Sequence, residues 1–435
     1  QTWTLFLASG AAWKKWIFKD SFTGWRRLPF PISNPSSSSG TLDLSAIDTI
    51  RIINETDAAA VTLYLDRAVV DVGRWVYCYD KETEILTETG WVKFPELDKE
   101  TRVAQVDPNG LKMSFVKPTR YVKQPFKGKM KYFGGKSLDL MVTPDHRMPY
   151  ISVRDWSNKK IRINYSDATK INLRDNLPQF VEWEGRNIDE IILPEYEVVR
   201  PAGNNYKLKP IRIKGDAFVK LLGLYLSEGS CFKVGVAISQ VKHSPHFNKM
   251  NEALSELGIT YKYNEASSRF NIFSVQLKKY LEQFGRRSEV KHITPEFKNL
   301  SKRQLAFLVE YFGIGDGTRK RNKQWVFVSS SKQMMDDFQE IFLRLGKSST
   351  IFSSNGYYLL IERINRVSNL RKREKTEVDY DDLVYDVTVP TGLIVVRRKG
   401  KVVISSNCET FVPDTLLAAI TGMNLSFLKD GAYDP

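Results

Sequence analysis

Two apolar runs, each ending in an acid followed by glycine, constrain this chain more than any other feature. Leu221-Leu-Gly-Leu-Tyr-Leu-Ser-Glu-Gly229 closes on Glu228, and Val309-Glu-Tyr-Phe-Gly-Ile-Gly-Asp-Gly317 closes on Asp316, 88 positions later. Leu257-Gly258 and Leu345-Gly346, which close amphipathic segments, are separated by the same 88 positions. Two equal offsets predict a duplicated lobe. Gly223 and Gly313 predict two helices in close approach, with Glu228 and Asp316 side by side at their seam. Strands are predicted after each helix, at Lys233–Ser239 and Trp325–Ser330. Paired carboxylates bind a divalent ion such as Mg²⁺ through oxygen. A β surface beside them can enter a DNA major groove.

The charge is distributed in the same direction. Of the +15 formal charge, residues 78–407 carry +17, residues 1–77 carry +1 and residues 408–435 carry −3. A basic field of that size suits a polyanion, and nucleic acid is the usual one. The flanks read differently. Apolar and polar residues alternate from Ile47 to Tyr77, as strands of a half-buried sheet do. Ser33-Asn-Pro-Ser-Ser-Ser-Ser-Gly40 reads as a loop. Joining Tyr77 to Cys408 would continue a β protein, so residues 78–407 read as an insertion within one domain.

The ends of the insertion carry a reaction set. Cys78 opens it, Asn407 closes it, and Cys408 follows. A cysteine thiol can attack the carbonyl before it and make a thioester. A second thiol can take over that acyl group, and an asparagine carboxamide can attack its own carbonyl and cleave the chain. Thr143-Pro-Asp-His146 supplies an imidazole for proton transfer and a hydroxyl to orient it. Taken singly, Cys78 reads as well as a buried thiol, His146 as a structural imidazole and Asn407 as a turn residue. Together they account for the compositional break.

In these blocks the chain resembles an intein, a self-splicing protein insert, over residues 78–407. The resemblance rests on Cys78 to Leu97, Leu138 to Met148, Val384-Tyr-Asp-Val-Thr-Val-Pro-Thr-Gly-Leu-Ile394, and Val402 to Cys408. It implies Cys78 as first nucleophile, Cys408 as acceptor and Asn407 as the residue that forms a succinimide. Thr143 and His146 would loosen the Tyr77–Cys78 bond, and Asp386 would help pass the acyl group from one thiol to the other. No cofactor is implied for splicing. Ser406 stands where the family usually has histidine, and a second histidine near Gly392 or Leu393 is missing, so asparagine cyclisation is expected to be slow. The paired helices resemble the LAGLIDADG homing endonucleases. That resemblance implies Glu228 and Asp316 as metal-binding acids for Mg²⁺ or Mn²⁺, Lys291 near the cut phosphate, and double-stranded DNA of the host gene's homing site as partner.

The expected fold is mainly β plus α+β. A β-horseshoe splicing domain comes from residues 78–165 and 365–407, with a pseudo-two-fold LAGLIDADG endonuclease at 210–364 inserted in it. Residues 166–209 read as a linker or an accessory DNA-contact region. Residues 1–77 and 408–435 read as a host segment, a split β-sandwich. Phe22-Thr-Gly-Trp-Arg-Arg-Leu28 and Leu63-Tyr-Leu-Asp-Arg67 weakly resemble carbohydrate-binding jelly rolls. Two other functions remain open: junction cleavage beside an inactive DNA-binding endonuclease, or a non-catalytic DNA- and carbohydrate-binding module. No run of about 18 apolar residues predicts a membrane span, and a monomer, made in the cytoplasm, is expected. Cys231 is expected in the core. The start, Gln1-Thr-Trp-Thr, lacks Met and reads as a fragment boundary.

Overall fold

Helices concentrate between residues 215 and 344, where the sequence repeats. Among the described residues they are α1 (Val153–Ser157), α2 (Gly215–Glu228), α3 (Phe247–Ser255), α4 (Val275–Leu281), α5 (Pro295–Lys298), α6 (Lys302–Gly315) and α7 (Lys332–Arg344). Strands dominate elsewhere, and the protein is mostly β with some helices. The computed structural model describes residues 2–9, 11–19, 36–40, 49–54, 78–172, 174–198, 203, 205–369 and 375–407. The chain divides into two units, Gln1–Trp75 with Glu409–Pro435, and Val76–Cys408.

In the first unit, four antiparallel strands lie in the order Ser37–Ser39, Ala12–Lys19, Thr2–Ser9, Thr49–Asn54. The stretch read as a loop over Ser33–Gly40 thus contributes an edge strand. An edge strand needs only backbone partners, and Ser37–Ser39 pair with Lys15–Trp13 while staying exposed. The expected strands beyond Asn54, and both segments likened to jelly rolls, lie outside the described residues.

The second unit contains the duplication, element for element. Helix α2 is followed by a hairpin (Gly229–Phe232, Gly235–Ser239), helix α3 and a second hairpin (Tyr261–Asn264, Arg269–Ile272). Helix α6 is followed by Gly317–Arg319, Trp325–Ser329, α7, Ser348–Ser354 and Tyr357–Arg363. Both sets of strands pair in the same order, first, second, fourth, third. Gly258 and Gly346 end α3 and α7 with φ of +67° and +72°. That left-handed conformation costs glycine little and closes the helix. Serines start the second lobe's helices: Ser301 Oγ accepts from the Gln304 N–H, and Ser331 Oγ from the Met334 N–H at 3.1 Å, each an N-cap.

Helices α2 and α6 pack at the seam, but not glycine to glycine. A Cβ at Gly223 would lie 2.8 Å from the Phe312 nitrogen and 2.9 Å from the Leu308 oxygen. Gly313, expected to share in that close approach, instead faces the Trp325 ring, which a Cβ would meet at 2.4 Å. The second close approach belongs to Gly315, where a Cβ would fall 2.4 Å from Ser227 Oγ and 2.8 Å from Glu228 Cγ. The helices cross where their C-terminal acids meet.

The second lobe does not end at its own sheet. Strand Ser348–Ser354 meets Lys401–Ser406 at Thr350 and Lys401, and the sheet continues through Leu393–Arg398, Glu84–Thr87, Val103–Val106 and Met113–Val116. Buried Arg397 ties helix α7 to this sheet. It donates to Glu84 at 2.6 and 2.7 Å, to Asp336 at 2.5 Å and to Gln339 at 3.1 Å. A charge this deeply buried is tolerable only when paired and hydrogen-bonded in this way. Residues 166–209 contain strands rather than a bare connection. Asn176–Pro178 joins Val367–Asn369, and Glu190–Leu193 pairs with Ile211–Lys214 to put Ile191, Leu193 and Ile213 in the core beneath α2. A long ladder, Arg120–Gly134 with Lys375–Thr388, carries Asp386 toward the start of this unit.

Candidate functional site

Cys78 is fully buried and clasped by Thr143 from both sides of its backbone. The Cys78 N–H donates to Thr143 Oγ1 at 3.1 Å, and the Thr143 N–H donates to the Cys78 carbonyl at 3.0 Å. The hydroxyl expected to orient His146 therefore sits on the nitrogen of the Tyr77–Cys78 peptide bond. The next residue fixes the register. Tyr79 forms antiparallel bridges to both Val142 and Tyr385, with Tyr79 and Tyr385 exchanging backbone hydrogen bonds of 2.8 and 2.9 Å. One step back along those bridges, Cys78 stands opposite Thr143 on one side and Asp386 on the other. Asp386 is buried, and its Oδ1 accepts from the Val387 N–H at 2.7 Å.

The far end of the segment reaches the same cluster. His146 Nε2 lies 2.9 Å from Ser405 Oγ. Tyr79 Oη donates to the Ser406 carbonyl at 2.5 Å, and its ring lies edge-on to His146 at 4.8 Å and stacks on Phe94 at 5.2 Å. Ser406 Oγ donates to the Arg147 carbonyl. The Asn407 backbone N–H donates to Gly392 and its carboxamide Nδ2 to Val389, both at 3.1 Å. Asn407 Oδ1 has no hydrogen-bond partner among the described residues. Cys408 lies outside them. Ser405 and Tyr79 were not singled out from the sequence. Their closeness in sequence to Asn407 and Cys78 was the available signal.

Burial drives the His146 pKa down to about 3, because a charged imidazole there would lose its hydration. The sign of the consequence follows. The unfolded chain takes up this proton near the ordinary value of about 6.5, the folded chain only near 3. Stability present above 6.5 is therefore lost as the pH falls through that window. Lowering the pH from 7.5 to 5 is expected to cost about 2 kcal/mol through this residue. Denaturant melts should show that slope flattened in His146→Gln.

The second cluster lies at the helix seam. Glu228, half-buried, ends α2, and Asp316, more exposed, caps the end of α6. Burial raises both pKa values. The charge of Asp316 raises Glu228 further, and Lys291 pulls both down. Lys291 is itself buried, its ammonium held by the Tyr225 and Gly229 carbonyls at 2.7 and 2.9 Å and set 5.1 Å from the Tyr225 ring centre. Burial lowers its pKa to about 8. Neither carboxylate accepts a hydrogen bond from the described residues, so their lone pairs are unclaimed. Oxygen-only donors with several open positions fit Mg²⁺ or Mn²⁺, which keep water and phosphate oxygens as further ligands. Cys231, expected in the core, is only partly buried beside this cluster, with Sγ 3.6 Å from Tyr225 Oη.

Residues 302–376, from α6 to the strand after Lys375, match the family described as LAGLIDADG-like domain. Among curated relatives, the ribonucleoside-diphosphate reductase subunit beta of Aquifex aeolicus (strain VF5) is 25% identical over 368 residues, covering 78% of this chain and 51% of the relative. The ATP-dependent Clp protease proteolytic subunit of Chlamydomonas moewusii is 23% identical over 291 residues, covering 63% of this chain and 28% of the relative. The chain thus spans about half the length of one and under a third of the other. Among solved structures, a splice-inactive variant of the AceL NrdHF class 3 split intein is 10% identical with a TM-score of 0.28, covering 77% of this chain and 99% of that one. Mesophilic variants of the homing endonuclease I-DmoI are 16% identical with a TM-score of 0.27, covering 34% and 89%.

Proposed function

We propose that residues 78–407 splice themselves out, ligating Tyr77 to Cys408, and also cut double-stranded DNA. The observation that carries the splicing half is the single buried cluster in which Cys78, Thr143, His146 and Asp386 meet residues 405–407. A segment whose two ends share one water-poor site has the proximity that acyl transfer between them needs. Two further facts support it. The chain's contacts divide at 75/76 and 408/409, within two residues of the proposed junctions. A reductase subunit and a protease subunit both match this chain over only part of their lengths, as two proteins of unrelated activity would if they shared an insert.

In this reading Thr143 holds the scissile nitrogen, His146 supplies its proton, Asp386 stands across from the thiol, and Asn407 severs the C-terminal junction. At the seam, Glu228 and Asp316 would hold a divalent cation, which when bound supplies an activated water and charge stabilisation at a phosphate. Lys291, beside both acids, would meet the phosphate's negative charge, and the basic surface of residues 78–407 would take up the DNA backbone. Intact-mass spectrometry over time with added thiol tests the first half. The expected products are a ligated chain of 105 residues and an excised one of 330. Persistence of the full chain under all reducing conditions would refute splicing. Junction cleavage without ligation is favoured by one observation: the Asn407 carboxamide nitrogen is engaged with Val389 rather than poised on its own carbonyl. The same spectra separate the two outcomes.

A further inference from the structure

Ser405 has no role in the chemistry described so far, yet it is the partner of the one imidazole in the junction cluster. Its hydroxyl is 2.9 Å from His146 Nε2. It is held there by strand pairing, since Ser405 lies opposite Ile394 in the ladder between Lys401–Ser406 and Leu393–Arg398. The His146 ring is fixed on a second side by the edge-on Tyr79 ring, and Tyr79 in turn donates to the Ser406 carbonyl. Two contacts therefore tie residues 405 and 406 to this cluster, one from His146 and one from Tyr79 beside Cys78.

The direction of the Ser405–His146 bond decides which nitrogen carries the imidazole proton. In the first acyl transfer the Cys78 sulfur bonds to the Tyr77 carbonyl carbon and the Tyr77–Cys78 C–N bond breaks. The departing nitrogen needs a proton, and the thiol gives one up, so the step is an isomerisation with no net change in protons. A neutral imidazole whose Nε2 accepts from Ser405 carries its proton on Nδ1 and is able to donate it. With the bond reversed, Nδ1 is an acceptor and cannot protonate the leaving nitrogen.

Resting on the splicing reading above, we propose that Ser405 is a positioning residue for that step. Its hydroxyl donates to His146 Nε2 and keeps the proton on Nδ1 for as long as the C-terminal junction strand is seated. The first junction is thereby made competent by the folding of the second. A histidine held in the wrong tautomer loses orders of magnitude in catalysis in other acyl-transfer sites, and general acid catalysis as a whole contributes about 10²–10⁴-fold.

The test uses the full chain carrying Asn407→Ala, in which only the first junction can react. Thiol-dependent cleavage before Cys78 is followed by mass spectrometry. The His146 tautomer is read from nitrogen-15 NMR with histidine labelling, assigned by loss of the signal in His146→Gln. Ser405→Ala is expected to slow cleavage by about 10-fold or more and to move His146 away from the Nδ1–H form. Ser405→Thr, which keeps the hydroxyl, is expected to restore both, and this excludes a folding defect at the site. Unchanged rate and tautomer in Ser405→Ala would overturn the proposal, as would an Nε2–H tautomer in the parent. If the Asn407→Ala parent releases nothing with thiol, the splicing reading itself fails. That outcome is distinct from a parent that reacts and a Ser405→Ala variant that reacts as fast.

Discussion

Replacing Asn407 with Ala is expected to abolish release of residues 408–435 and ligation, while thiol-dependent cleavage before Cys78 continues. The asymmetry comes from where the atoms are. Cleavage at the C-terminal junction requires the Asn407 Nδ2 to attack the Asn407 carbonyl, and a methyl group offers no nucleophile. A loss beyond about 10³-fold is the expectation for removing a covalent nucleophile outright. The first junction keeps its thiol, the Thr143 clasp on the Cys78 nitrogen and the buried imidazole. Cys78→Ala has the complementary effect: no thioester forms and nothing is released by thiol, but slow cleavage after Asn407 remains. Mass spectra of the two variants should therefore be opposites, and ligation surviving in both would refute the mechanism. In the parent, the C-terminal step is expected to be the slow one. Ser406 spends its hydroxyl on the Arg147 carbonyl, and the Asn407 Nδ2 must leave Val389 before it can attack.

Some of this was legible in the chain and some was not, for physical reasons. The duplication was legible because helix ends need glycine where φ turns positive, as at Gly258 and Gly346, and because the acids at 228 and 316 follow runs long enough to be helices. The contact at the seam was not. Gly223 packs on the Leu308–Phe312 turn as a close approach requires, but Gly315 against Ser227, not Gly313, provides the second one. Cys78, His146 and Asn407 announce themselves by reactivity and order. Ser405, Tyr79 and Arg397 act through neighbours hundreds of positions away, and no local pattern encodes those partners. The bond from Tyr79 to Ser406 spans 327 positions and that from Arg397 to Glu84 spans 313. Continuity of the second lobe's sheet with the strand that ends at Ser406 was likewise invisible, since it turns on one pairing of Thr350 with Lys401.

Glu228→Gln and Asp316→Asn are each expected to reduce DNA cleavage by about 10³-fold or more, with DNA binding retained. Among the described residues no group of three or more His, Cys, Asp or Glu side chains could hold a metal, so this pair would do so with water and phosphate oxygens as further ligands. Losing either leaves one carboxylate, too few to neutralise a divalent cation beside Lys291. A second readout separates this from simple unfolding. Burial raises both carboxyl pKa values in the folded chain. Such a group contributes stability that is fully present below its unfolded pKa and is lost as the pH rises through the folded value. At pH 8 without metal, the two charges repel across the seam, and a neutral amide relieves that repulsion. Both variants should then melt at or above the parent temperature in chelator, and added Mg²⁺ should raise the melting temperature of the parent more than that of either variant. Full cutting activity in either variant, or a melting temperature well below the parent's, would remove these acids from the metal-binding role.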